Sequence, residues 1–100
     1  MFGLFRNKKK EQISKFVDQG ALLLDVRTAS EFNRNHIKNS INIPVQGMDQ
    51  KIDSLDKNKP VIVYCAMGGR SNIAAKKLKD KGFKVVNAGG IGHMKKHLKS

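Results

Sequence analysis

The chain has 100 residues and a mass of 11.2 kDa, the size of one domain around one core, so the expectation is a single domain and not a multidomain enzyme. Hydrophobic residues make up 39% and charged residues 28%, a globular rather than a disordered composition, and a lone Cys excludes both a disulfide framework and a Cys-rich zinc site. Twenty Lys and Arg against eight Asp and Glu give a net charge of +12, a field that can attract nucleic acid, a membrane surface or small anions without choosing among them. In chain order, Ile13, Phe16 and Val17 fall at i, i+3, i+4 and predict a short helix over Glu11–Gln19, stopped by Gly20. The apolar run from Ala21 to Val26, ending at Arg27, predicts a strand buried on both faces. Thr28 and Glu31 have the spacing of a capping box and predict a helix of about two turns. Ile41-Asn42-Ile43 is a short strand closed by Pro44, and a helix is expected over Asp49–Leu55.

Val61-Ile62-Val63-Tyr64-Cys65 is β-branched and aromatic, the clearest strand in the chain. A helix follows from near Arg70 to about Lys81, with Ile73, Ala74 and Leu78 on its inner face and Gly82 placed to end it in the left-handed conformation. Lys84–Asn87 is the last strand, Ala88-Gly89-Gly90 turns the chain, and Ile91, Met94 and Leu98 mark the inner face of a terminal helix. Strands alternating with helices imply a parallel sheet covered on both faces, with ligands bound beyond the carboxyl ends of the strands. Asp25, Arg27, Cys65 and the Ala88–Gly90 turn are expected at such ends. Residues 1–10 read as a basic N-terminal segment and 11–100 as the domain. No apolar run approaches the roughly 18 residues of a membrane span. The N-terminal MFGLFRNKKK also orders apolar before basic residues, opposite to a secretory signal. The expectation is a cytoplasmic chain, where a free thiol survives.

A Cys at a strand end, followed by a Gly-containing loop and a helix start, is an arrangement that activates a thiol. Gly68 and Gly69 allow successive amides to converge on one anion, and the helix N-terminus adds its positive dipole end. Arg70 supplies a fixed cation with a fork that can grip an oxyanion. Nucleophile, cradle and cation within six residues suit attack on an anionic substrate through a charged covalent intermediate.

Cys65-Ala66-Met67-Gly68-Gly69-Arg70-Ser71 resembles the C-x-x-G-x-R-S active-site loop of the rhodanese sulfurtransferases. Asp25-Val26-Arg27, Glu31, His36-Ile37, Ile41-Asn42-Ile43-Pro44 and Asn87-Ala88-Gly89-Gly90-Ile91 are similar, in order and spacing, to the further signatures of that family. The resemblance covers residues 11–98 and implies a single-domain α/β fold with a central parallel sheet of four to five strands flanked by helices. It implies that Cys65 takes the outer sulfur of thiosulfate or another persulfide donor, and that a thiol or cyanide then removes it. Ala66, Met67, Gly68, Gly69 and Ser71 would line the persulfide, and Arg70 would bind the donor's sulfonate. Only four residues separate Cys65 from Arg70, one fewer than in the phosphatases and arsenate reductases of the same fold, which favours sulfur over phosphate. No cofactor or metal is implied, and the expected state is a monomer. Asn35 stands where the family has Gly, a residue able to take a left-handed turn, and Gly92-His93-Met94 stand where an aromatic is common. The family's first edge strand would have to lie within Phe2–Lys10 and is expected to be short or missing.

Asp25 and Arg27 are expected to pair with each other or with loop backbone as scaffold, since one Arg suffices for a small anion. Glu31 reads as the capping-box carboxylate and His36 as a structural hydrogen-bonding residue. His93 and His97 lie at i, i+4, without a third ligand nearby to suggest a metal. Lys76, Lys77, Lys79 and Lys81 form a solvated basic face that could steer anions or dock an acidic protein. They lack the interleaved aromatics of a nucleic-acid site.

Overall fold

The computed structural model of the chain describes residues 8–99. Four parallel strands form one sheet: β1 (Leu22–Asp25), β2 (Ile41–Asn42), β3 (Val61–Cys65) and β4 (Val85–Gly90), in the spatial order β2-β1-β3-β4. Helices α1 (Lys8–Asp18), α2 (Ala29–Arg34), α3 (Met48–Lys51), α4 (Gly69–Asp80) and α5 (Ile91–Lys99) make the connections. The expected edge strand falls largely on residues outside the described ones, and Lys8–Lys10 form the first turn of α1.

Alternation along β3 divides the core. Val61, Val63 and Cys65 face α3 and α4, packing with Leu24, Met48, Ile52, Ala74, Ala75 and Leu78. Ile62 and Tyr64 face α1 and α5, packing with Ile13, Phe16, Val86 and Met94. All five β3 residues are buried, and a fully buried Val or Ile contributes about 1.5–3 kcal/mol over its exposed state. The most hydrophobic strand therefore runs through the centre and carries Cys65 to its carboxyl end.

Several sequence expectations shift. Helix α1 starts three residues before Glu11, because lysines are good helix formers, and it buries Ile13 and Phe16 while Val17 is 40% exposed. It ends in a Schellman motif: Gly20 at φ +78, the Ala21 amide bonded to the Phe16 carbonyl and the Gly20 amide to that of Val17. The same motif closes α4 through Gly82 (φ +93) and Phe83, as the sequence indicates. On α4, Ile73 is half exposed, and Ser71, Ala74, Ala75 and Leu78 form the buried stripe. Helix α3 is shorter than Asp49–Leu55; it gives way to a tighter 3₁₀ turn over Ile52–Ser54. β4 does not stop at Asn87 but runs through Gly90. A bulge shifts its pairing by one residue, from Val63↔Asn87 to Tyr64↔Gly89. Gly89, at φ +83, donates its amide to Asn87 Oδ1 at 2.8 Å and absorbs the bulge. Asn35 is extended (φ −166), and Asn39, at φ +71, takes the left-handed turn instead.

Candidate active site

Strand β3 ends at Cys65, Ala66–Gly68 turn the chain, and α4 begins at Gly69. Gly68 adopts φ +113, which folds the loop back over the thiol. Its amide donates to Cys65 Sγ at 2.9 Å, and the Ser71 hydroxyl lies 3.4 Å from the same sulfur. Ser71 is fully buried and also donates to the Gly68 carbonyl at 3.1 Å. In the thiol form the S–H donates to Ser71 Oγ; on ionisation the Ser71 proton can turn onto the sulfur. Burial pushes the thiol pKa up. The Ser71 hydroxyl and the amides of Ser71, Gly68 and Met67 push it down and prevail, so it lies below its ordinary value. The side chain of Met67 stands at the loop's apex, 92% exposed.

Arg70 does not stand free as an open fork. Its Nη1 and Nη2 donate to Glu31 Oε1 and Oε2 at 2.6 and 3.0 Å. Glu31 also completes the capping box of α2, accepting from the Thr28 amide at 3.0 Å while its own amide donates to Thr28 Oγ1 at 3.2 Å. The Arg70 bond first, then the Thr28 amide, lower the Glu31 pKa to about 2. One carboxylate thus caps α2 and ties it to the first turn of α4. The capping role is visible in the sequence; the partner 39 residues away is not.

Asp25 and Arg27 sit on the opposite face of the sheet from the thiol. Arg27 Nε and Nη2 donate to the buried Asp25 carboxylate at 2.7 to 3.1 Å, and Nη2 reaches the Asn35 carbonyl at 2.6 Å. Asn42 Nδ2 donates to the carbonyls of both Asp25 and Arg27 at 2.9 Å, clamping the end of β1. The buried Tyr64 hydroxyl accepts from the Ile37 amide at 3.1 Å and lies 3.0 Å from Ser40 Oγ, tethering the α2–β2 loop. His36 stacks on Phe32 at 3.8 Å with Nδ1 2.7 Å from the Phe32 carbonyl, so Nδ1 carries a proton. The His93 and His97 rings are 6.4 Å apart.

Gly90, expected in the Ala88–Gly90 turn at the ligand end of the sheet, lies inside β4 instead. It pairs with Cys65, and a Cβ there would lie 2.6 Å from the Ala66 carbonyl oxygen. A Gly-Gly pair inside a strand is the signal of close backbone approach that could have identified it. The basic face of α4 is partly neutralised: Lys77 bonds Asp49 at 2.9 Å, and Lys76 and Lys81 lie 3.8 Å from Asp80 and Asp53.

The sequence model of the rhodanese-like domain family matches residues 9–96. The chain is 37% identical over 82 residues to the thiosulfate sulfurtransferase GlpE of Pseudomonas savastanoi pv. phaseolicola, covering 82% of this chain and 77% of that protein. It is 33% identical over 69 residues to the putative sulfur carrier protein YrkF of Bacillus subtilis, spanning 69% of this chain but 37% of that protein. Among solved structures, the rhodanese-related protein of Thermoplasma volcanium superposes with a TM-score of 0.75 at 31% identity, covering 87% of this chain and 88% of that one. A parallel sheet ending in a Cys-anchored amide cradle and a family match across nearly the whole chain agree: the protein belongs to the rhodanese-like domain family.

Proposed function

We propose that the chain is a thiosulfate sulfurtransferase that carries sulfur as a persulfide on Cys65. The observation that carries this reading is the buried thiol faced by the Met67, Gly68 and Ser71 amides, with its pKa lowered. In the first step the Cys65 thiolate attacks the outer sulfur of thiosulfate, the S–S bond of the donor breaks, and sulfite leaves with the electron pair. The persulfide anion inherits the amide cradle, which costs no reorganisation as charge moves to the outer sulfur. Cyanide or a thiol then attacks that sulfur and returns Cys65 as thiolate.

Arg70 can serve the donor while held by Glu31. A guanidinium has five N–H donors, and Glu31 engages one on each terminal nitrogen. The remaining donors can meet the sulfonate oxygens, with Glu31 as a positioning residue. Asp25, Arg27, Asn42 and Tyr64 act as scaffold for the strand ends, and His36 for the α2–β2 loop. Thiosulfate and cyanide should yield thiocyanate and sulfite, with a gain of one sulfur atom at Cys65 by intact mass, and Cys65→Ser should abolish both. Thiocyanate formation unchanged in that variant overturns the reading.

Similarity to a putative sulfur carrier supports a second reading, in which the physiological donor and acceptor are proteins. The remaining basic residues of α4 could then dock an acidic partner. Under that reading thiosulfate loads Cys65 slowly even at saturating donor; rapid loading removes the need for it.

A further inference from the structure

We propose that Glu31 sets the anion selectivity of the site: it is a fixed carboxylate that competes for Arg70 and weakens the binding of dianions more than that of monoanions. The proposal rests on the sulfurtransferase reading and goes beyond holding the guanidinium in place. Arg70 gives one N–H of each terminal nitrogen to Glu31, at 2.6 and 3.0 Å, so guanidinium and carboxylate meet the donor as a pair with no net charge. The carboxylate does not depend on Arg70 for its place. Its Oε1 also accepts from the amide and the hydroxyl of Thr28, each at 3.0 Å, which anchors it to the start of α2. With its pKa lowered to about 2, first by Arg70 and then by the Thr28 amide, it stays ionised at any working pH.

The capping box has no need of that charge, because Gln serves equally at its third helical position. The charge acts at Arg70. The charges of Arg70 and Cys65 interact, which puts the guanidinium within electrostatic reach of the thiol. An anion on the N–H groups that Glu31 leaves open stands no farther from that carboxylate than the width of one guanidinium. That is well inside the Debye length of about 10 Å at 0.1 M salt. Repulsion grows in proportion to the anion's charge, so a dianion loses about twice the free energy that a monoanion loses. Asp25, the other carboxylate whose charge reaches Arg70, is committed to Arg27. Thiosulfate, sulfate and hydrogen phosphate are therefore held loosely, and a monoanionic thiosulfonate is penalised less.

The test uses thiosulfate and methanethiosulfonate as donors to saturating cyanide at constant ionic strength, with sulfate binding to the unloaded protein followed by calorimetry. Methanethiosulfonate gives its outer sulfur to the Cys65 thiolate, and methanesulfinate leaves with the electron pair. Glu31→Gln should lower the KM for thiosulfate about fivefold and that for methanethiosulfonate about twofold, with kcat little changed. It should tighten sulfate binding about fivefold as well. Asp49→Asn removes one carboxylate from the Lys77 pair, two turns along α4 from Arg70, and should leave all three constants as they are. Equal gains for the two donors, or equal gains in the two variants, overturn the proposal. So does an unchanged or raised KM for thiosulfate in Glu31→Gln, the result expected of a carboxylate that only positions Arg70. A wild type that binds sulfate but forms no thiocyanate overturns the sulfur-transfer reading instead, and the sulfate comparison between variants still decides the role of Glu31.

Discussion

At Cys65 burial and hydrogen bonding oppose each other, and the Ser71 hydroxyl is the largest of the groups that lower the thiol's pKa. Ser71→Ala removes that donor from the thiolate but leaves the amides of the cradle. The pH midpoint for sulfur loading, followed by intact mass, should move up. Loading at neutral pH should slow roughly tenfold, the order of one hydrogen bond to a charged group. An unchanged midpoint would assign the lowering to the amides and the Arg70 charge. Glu31 offers a second test. Its pKa falls from 4.5 unfolded to about 2 folded, so its stabilisation is complete above 4.5 and is lost as pH drops towards 2. Glu31→Gln keeps the capping-box geometry without the charge. The Tm difference between wild type and Glu31→Gln should therefore be largest near pH 6 and shrink steadily below pH 4.5; a constant difference would show that Arg70 contributes nothing through this pair.

Where elements meet, backbone clearance decides what the site tolerates. The end of β4 approaches the Cys65 loop so closely that a Cβ at Gly90 would lie 2.6 Å from a backbone oxygen, which no rotamer change relieves. Gly90→Ala should destabilise by about 1–3 kcal/mol and reduce sulfur transfer, because the atom displaced belongs to the loop itself. Gly92→Ala, in open space in the first turn of α5, should instead stabilise by a few tenths to ~1 kcal/mol. Thermal denaturation of the two side by side checks the contrast. Thr28→Ala breaks the α2 capping box and should cost about 1 kcal/mol. The capping box, both Gly-terminated helices and β3 are written locally in the chain, since each depends on contacts within a few residues. The exposed Ile73 and the continuation of β4 are not. Helix α4 packs closely through Ala74 and Ala75 and rotates Ile73 outward, and the Gly89 bulge re-registers a strand whose end otherwise reads as a turn.

Over the whole molecule, +12 on 100 residues creates a field whose strongest part begins at the reactive loop: nine bases and one acid follow from Arg70 onward. Of Lys76, Lys77, Lys79 and Lys81, on α4 and at its end, three are paired with carboxylates, and exposed pairs of this kind are worth only about 0–1 kcal/mol, so they shape the field more than they stabilise the fold. The kcat/KM for thiosulfate should fall as ionic strength rises and the Debye length shrinks from about 10 Å at 0.1 M; a flat profile would return the lysines to solubility alone. No helix among the described residues is long and apolar enough to cross a membrane. The sequence by itself determined the alternation of strands and helices, the placing of Cys65 at a strand end and the Gly-rich loop after it. These follow from hydrophobic period and local turn chemistry. Only the tertiary structure decided that Arg70 is held by Glu31, that Asp25 and Arg27 lie on the face away from the thiol, and that Gly90 sets the loop's height. Each of those is a contact between segments far apart in the chain, and no local pattern records which partner the packing will supply.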